Sequence, residues 1–387
     1  MNHREKLIER VCAGYRATYG EEPLAVFSAP GRVNLIGEHT DYNQGLVLPC
    51  AIDRETMIAA GAGADEAIEA VALDLDGASD SFGIREPIAV GTHEWSNHLR
   101  GVAHFLGERG VKLPSARLAI SGNVPMGAGL SSSASLGVVT GLALSTLAGE
   151  SQAPATLARV AQQAENHFVG TQCGIMDQMA SACARGGHAL LLDCRDLTYR
   201  HVALPDSLAL IIIDSGVQHS LGDSPYNERR AQCEAVAEHF GAASLRDVSL
   251  EQLESESDAL GKLEFRRARH VITEIARVDA FAEALRRGDR PTISHLMRES
   301  FVSYRDDFEA SVPAVDRLFE IISGCIGEEG GVRLTGGGFG GSLVALAPHD
   351  LLGELEQVVE REYNRIASTP ARAGVFQASS GALEVPI

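Results

Sequence analysis

The segment from Ser115 to Gly149 constrains the fold most. An apolar strand candidate, SARLAIS (115–121), leads into Pro125-Met126-Gly127-Ala128-Gly129-Leu130-Ser131-Ser132-Ser133. The apolar stretch ASLGVVTGLALSTLAG follows and reads as a helix stopped by Gly149. Small residues in the turn between the two let the backbone approach an anion closely, and the helix start offers unpaired N–H groups at its positive end. On its residues alone the turn reads either as a plain capped turn or as a phosphate cradle. The pattern GxxxxGK[ST] occurs nowhere in the chain, and Ser132 stands where a GxGxxG motif needs its third glycine.

The remaining chain is patterned as α+β. LAVFSAP (24–30) reads as a strand entering GRVNLIGEHTDY (31–42), and SLALIIID (207–214) as a short, fully apolar strand. Leu157, Val160, Ala161, Ala164 and Phe168 recur at helical spacing. A last helix is expected through Leu351, Leu352, Leu355, Val358, Val359 and Tyr363. The run Gly336–Gly341 lies between strand-like flanks at 331–334 and 343–346, which favours a tight turn over a flexible loop. With 387 residues the chain can build one large core or two modest ones, and its size favours two.

A formal net charge of −19 argues against non-specific binding to nucleic acid or anionic membranes, while leaving room for a local anion pocket. No apolar run approaches the roughly 18 residues that would suggest a membrane span. The start MNHREKLIER has no apolar core of a signal peptide. Seven scattered cysteines, with no CxxC pair, suit thiols in a reducing cytosol better than disulfides or zinc, so a cytoplasmic location is expected.

Three further places carry candidate chemistry. GRVNLIGEHTDY crowds Arg32, Asn34, Glu38, His39, Asp41 and Tyr42 around Leu35 and Ile36. Carboxylates accept in pairs while His and Arg donate, so the set could grip sugar hydroxyls, or simply form a polar turn in which Arg32 pairs with Glu38 or Asp41. Glu165 falls on or beside the apolar face of its helix, where a carboxylate either needs a cation or reaches out to water. In Gly174-Ile175-Met176-Asp177-Gln178 a lone acid interrupts an apolar run, and the simplest local role for Asp177 is a helix N-cap.

Six blocks, in this order, resemble the galactokinase branch of the GHMP small-molecule kinases: GRVNLIGEHTDY, VPMGAGLSSSASLGV (124–138), AENHFVGTQCGIMDQ (164–178), SPYNERRAQCE (224–234), YRDDFEASVP (304–313) and GGVRLTGGGFGGS (330–342). The resemblance runs nearly end to end. It implies the two-domain α+β GHMP kinase fold with the active site in the cleft. Residues 1–200 would hold the sugar block, phosphate loop and catalytic aspartate, and residues 201–387 the glycine-rich block.

The implied activity is transfer of the ATP γ-phosphoryl group to the C1 hydroxyl of galactose, with Mg2+ as cofactor. Asp177 matches the family's catalytic aspartate and Arg32 its partner cation. Glu38, His39, Thr40, Asp41, Gly174 and Tyr226 match sugar contacts. Tyr226 follows Ser224-Pro225, a cap-and-Pro helix start. Gly127, Ala128, Gly129, Leu130, Ser131, Ser132 and Ser133 match the loop around the ATP phosphates, and Ser133 with Glu165 matches the metal ligands. The implied partners are small molecules only, with no nucleic acid and no membrane, on a monomer or weak homo-oligomer. Ser342 stands where the family often has Cys and Leu334 where Met is common. A sister kinase for N-acetylgalactosamine or arabinose, or a non-catalytic sugar and ATP sensor, would share most of these features. The sensor reading is disfavoured by the complete run Ser132-Ser133-Ala134-Ser135 and by the presence of both Asp177 and Arg32.

Overall fold

Two mixed layers, each a sheet with helices, share a common apolar seam. The structure is a computed structural model that describes residues 2–125, 127–217 and 224–387. The first sheet has six strands in the order Leu383–Val385, Ala25–Asn34, Pro49–Ala62, Ala116–Gly122, Ala67–Ala72 and Ala78–Gly83. Neighbours are antiparallel except Ala67–Ala72 beside Ala116–Gly122. Register sets Val26 opposite Ala59 and Ile58 opposite Ile120.

Alternation splits the central strands between two cores. Phe27, Ile58 and Leu118 face the helices Glu94–Glu108, Ser132–Leu147, Pro154–Ala164 and Met176–Cys183. Val26, Met57 and Ala59 face the helix His3–Tyr19 through Leu7, Val11 and Tyr15. The apolar stretch at 134–149 is thus a helix buried against a sheet, and Gly149 beyond its end takes a left-handed φ of 73°.

The second sheet orders Gly331–Thr335, Ser342–Pro348, Leu208–Asp214 and Arg372–Phe376, all antiparallel. Leu208–Asp214 lies inside it, which accounts for its unbroken apolar run. One face packs on helices through Phe301, Phe308 and Phe319. The other meets the first half, where Ile212 and Val344 join Val33, Leu35, Ile36 and Phe281 in a single buried cluster. A three-stranded sheet of Leu46–Val47, His188–Asp193 and Tyr199–Ala203 flanks this seam.

Leu383–Val385 pairs with Ala25–Asn34, so the last strand lies in the first sheet rather than with residues 201–387. All seven cysteines are free thiols. Among the described residues no helix is long and apolar enough to cross a membrane.

Candidate active site

Arg32 and Asp177 form the centre of the cleft. Arg32 is near the end of Ala25–Asn34, just past a register slip between Pro30 and Arg32, and such a bulge re-aims the side chain that follows it. Its Nε and Nη2 donate to Asp177 Oδ1 and Oδ2, each at 2.6 Å, and its Nη1 donates to the Gly129 carbonyl at 2.7 Å. Two parallel bonds between a guanidinium and a carboxylate make a strong, directional pair. Asp177 is the second residue of Met176–Cys183, where the positive end of the helix favours its charge. It does not cap that helix. Its carboxylate also accepts from Ser131 Oγ at 2.5 Å.

The glycine–serine loop closes over this pair. The Arg32 amide donates to the Leu130 carbonyl at 3.1 Å, an approach that needs Gly31, since a Cβ there would fall 2.6 Å from that oxygen. Ser131 sits in left-handed backbone, φ 61° and ψ 48°, a strained conformation for a non-glycine residue. The strain turns its hydroxyl onto Asp177. Ser131 makes no side-chain cap on the helix Ser132–Leu147, so the first amides of that helix stay open to an anion.

Glu165 ends the helix Pro154–Ala164, which widens there into a π turn, Glu165–Val169. It is buried, accepting from Ser133 Oγ at 2.9 Å and Gln178 Nε2 at 2.8 Å. Burial, opposed by the Ser133 hydrogen bond, raises its carboxyl to about 6.

Three cavities meet around these groups. One of about 190 Å³ is lined by Arg32, Glu38, His39, Asp41, Glu165, Cys173, Gly174, Asp177 and Tyr226, with Gly336 and Gly337. One of about 710 Å³ lies over the loop and is lined by Gly127 to Ser133, Arg32, Asp177 and, from the second half, Asp214, Gly336 and Arg372. A third, of about 650 Å³, runs from Ser132 and Ser133 to Leu75, Trp95, His98 and Leu136. The first two share Arg32 and Asp177, and the last two share Ser132 and Ser133.

The first cavity is held from behind by a buried ion cluster. Glu38 Oε1 accepts from Arg333 Nη1 and from the Gly336 amide, both at 3.0 Å. Glu274, on the helix Lys262–Arg287, accepts from the Gly37 amide at 2.9 Å, Ser300 Oγ at 2.7 Å and Arg277 Nε at 2.8 Å. Although buried, its carboxyl is held below the usual range by Arg277 and Arg333.

The galactokinase galactose-binding signature matches residues 13–62, the GHMP kinase N-terminal domain residues 97–186, and the GHMP kinase C-terminal domain residues 281–365. A Lactococcus lactis galactokinase, solved in complex with galactose, is 29% identical and superposes with a TM-score of 0.92. That match covers 98% of this chain and 100% of the other. The chain belongs to the galactokinase family of GHMP kinases. It is therefore an ATP-dependent sugar kinase that phosphorylates galactose. More distant structures share the fold alone. The Methanococcus jannaschii mevalonate kinase is 17% identical with a TM-score of 0.63, covering 92% of this chain and 98% of its own. A D-glycero-D-manno-heptose 1-phosphate kinase is 16% identical with a TM-score of 0.61, covering 94% and 99%.

The structure brings most of the residues singled out from sequence to these cavities. Thr40 is fully buried, and its hydroxyl donates to the Gly37 and Leu46 carbonyls, away from the cavity. His39 lines the cavity with both ring nitrogens engaged, at 2.9 Å from the Tyr42 and Tyr304 hydroxyls. Tyr304 donates to the Gly336 carbonyl, so His39 Nε2 carries the proton and Nδ1 accepts from Tyr42. Burial and then neighbouring His270 lower the His39 pKa to about 3, which keeps the ring neutral.

Gly174 lies so close to Asp41 that a Cβ would fall 1.8 Å from Asp41 Oδ2. Tyr226 stands in the first turn of Ser224–His239, its ring 5.1 Å from that of His39. Ser224 is the first residue of that helix, and the position that would cap it lies outside the described residues, as does Met126 of the loop. Sequence reasoning missed Arg333, Glu274, Tyr304 and the pocket around Trp95. The single tryptophan was the one available signal for that pocket.

Proposed function

We propose that the chain transfers the γ-phosphoryl group of ATP to the C1 hydroxyl of D-galactose, giving α-D-galactose 1-phosphate and ADP. The observation that carries this reading is the wall of Arg32 and Asp177 common to the small polar cavity and the loop cavity. A donor phosphate and an acceptor hydroxyl placed in the two would meet at one carboxylate. The smaller cavity is well below the roughly 300–1,000 Å³ of drug-sized pockets, as a monosaccharide requires.

Asp177 accepts three hydrogen bonds, two from Arg32 and one from Ser131. A carboxylate has about four lone-pair sites, so one remains for the anomeric hydroxyl proton. Arg32 holds the Asp177 carboxylate in place through two hydrogen bonds and stabilises charge on the transferring group. Asp41 and Glu38 accept from sugar hydroxyls, and Tyr226 packs against the ring. The loop Gly127–Ser133 receives the phosphates, and the pocket beside Trp95 receives the nucleoside. The Trp95 indole N–H is buried without a partner among the described residues, as expected of a donor awaiting a ligand.

Mg2+ fits Ser133 and Glu165. A buried carboxylate with no ion-pair partner among the described residues, beside a hydroxyl, is a site that a small hard cation relieves, and Mg2+ needs few protein ligands because it keeps several waters. When bound it supplies charge compensation for the phosphate oxygens. The seven unpaired thiols support a cytoplasmic location.

The test is ATP-dependent phosphorylation of galactose, 2-deoxygalactose, N-acetylgalactosamine, arabinose and glucose, with the product position read by NMR. Galactose 1-phosphate as the dominant product supports the reading. Sugar and ATP binding with no sugar phosphate formed would replace it with a sensor.

A further inference from the structure

The loop cavity has to take a polyanion, and the charges around it do not yet balance. Its two cationic lining residues are Arg32 and Arg372. Arg32 is engaged at Nε, Nη1 and Nη2 by Asp177 and the Gly129 carbonyl. The acids lining the cavity are Asp177 and Asp214, and both repel phosphate. The open amides at the start of Ser132–Leu147 carry only partial charge.

Arg372 is the first residue of the strand Arg372–Phe376, opposite Asp214 in register. It is exposed, and its side chain has no hydrogen-bond or ion-pair partner among the described residues. Asp214 instead accepts from the Gly216 amide at 2.9 Å. An arginine at a sheet edge is ordinary, since charge there discourages pairing with another strand. Arg372 differs in standing on the wall that faces the glycine–serine loop, with the other cation of that cavity already committed.

We propose that Arg372 is a nucleotide-binding residue that grips the ATP phosphate chain from the second half of the molecule, opposite the loop Gly127–Ser133. The guanidinium supplies the full positive charge that Arg32 cannot release, and its planar fork suits phosphate oxygens. ATP then bridges the two halves, with the loop on one side and Arg372 on the other. The inference rests on the reading that this cavity takes the phosphates.

Arg372→Gln and Arg372→Lys, with folding checked by thermal melts, test it. The measurements are steady-state kinetics and ADP binding by calorimetry, at low and raised KCl. A charge-assisted hydrogen bond at this half-open site corresponds to about a tenfold loss of nucleotide affinity. The glutamine variant is therefore expected to raise the ATP KM and the ADP Kd about tenfold and leave the galactose KM unchanged. Its nucleotide affinity should also fall less steeply with salt than that of the wild type, because one phosphate contact is gone. The lysine variant should recover part of the loss. Wild-type ATP KM and ADP Kd in Arg372→Gln, with the wild type binding ADP normally, would overturn this inference alone. Failure of the wild type to bind ADP would overturn the cavity reading together with it.

Discussion

Replacing Asp41 by asparagine separates what this site does for the sugar from what it costs the fold. Asp41 is pressed against Gly174 and faces Asp177 across the small cavity. Burial first, and then the Asp177 charge, raises its carboxyl from 3.8 to about 6. The folded chain therefore holds the Asp41 proton more tightly than the unfolded chain. It follows that stability falls as pH rises from about 4 to about 6 and stays down above that range. A shift of roughly two units, at about 1.4 kcal/mol each, gives a penalty of about 3 kcal/mol at pH 7.5. This figure is an upper bound, because part of the Asp41 surface faces the cavity.

Asparagine removes the charge with little change of shape, and its carbonyl can still accept from the Tyr42 amide, at 2.9 Å in the parent. Urea unfolding without ligands should show Asp41→Asn more stable than the wild type by up to about 3 kcal/mol at pH 7.5, with the gain falling to roughly half at pH 5. The same change exchanges one acceptor oxygen for a donor, so the galactose KM should rise about 10–100-fold, the size of a lost hydrogen bond to a charged group. A variant less stable than the wild type at pH 7.5, with an unaltered galactose KM, would refute both the strain and the sugar contact.

Glu165→Ala should raise the Mg2+ concentration needed for half-maximal rate sharply, and an unchanged Mg2+ titration would remove Glu165 from the metal site. Arg333→Met removes the ion-pair partner of the buried Glu38 and leaves Glu274 paired with Arg277 alone among the described residues. Urea unfolding should then show a loss of about 3–5 kcal/mol. A loss below 1 kcal/mol would mean that the cluster does not carry the seam between the halves.

Much of the architecture was legible because it is local. The apolar run 24–30 marked the first part of the strand Ala25–Asn34, and the helix after the loop showed as an apolar stretch ended by Gly149. The interior strand 208–214 showed itself by having no polar face. Asp177 and Arg32 were found through their motifs, but their pairing was not readable from spacing, since 145 positions separate them. On residues alone Arg32 pointed to Glu38 or Asp41, and Asp177 to a helix cap.

The least legible part was the support behind the sugar cavity. Glu38 finds Arg333 across 295 positions, and the Gly37 amide finds Glu274 across 237. In sequence Glu274 sits in a charged, helical stretch where an acid normally faces water. The Tyr304 hydroxyl that meets His39 Nε2 comes from 265 positions away. The glycine-rich block, expected only to turn tightly, also supplies the Gly336 amide to Glu38.

The most direct test of the central claim compares the wild type with Asp177→Asn by phosphorus NMR of reactions containing galactose, ATP and Mg2+, with galactose binding measured in parallel by calorimetry. Loss of a positioned base costs about 10²–10⁴ in rate. The account predicts galactose 1-phosphate from the wild type, and from the variant at least a hundredfold slower formation with galactose affinity within a few-fold of the parent. Galactose 1-phosphate formed by Asp177→Asn at the wild-type rate would contradict it.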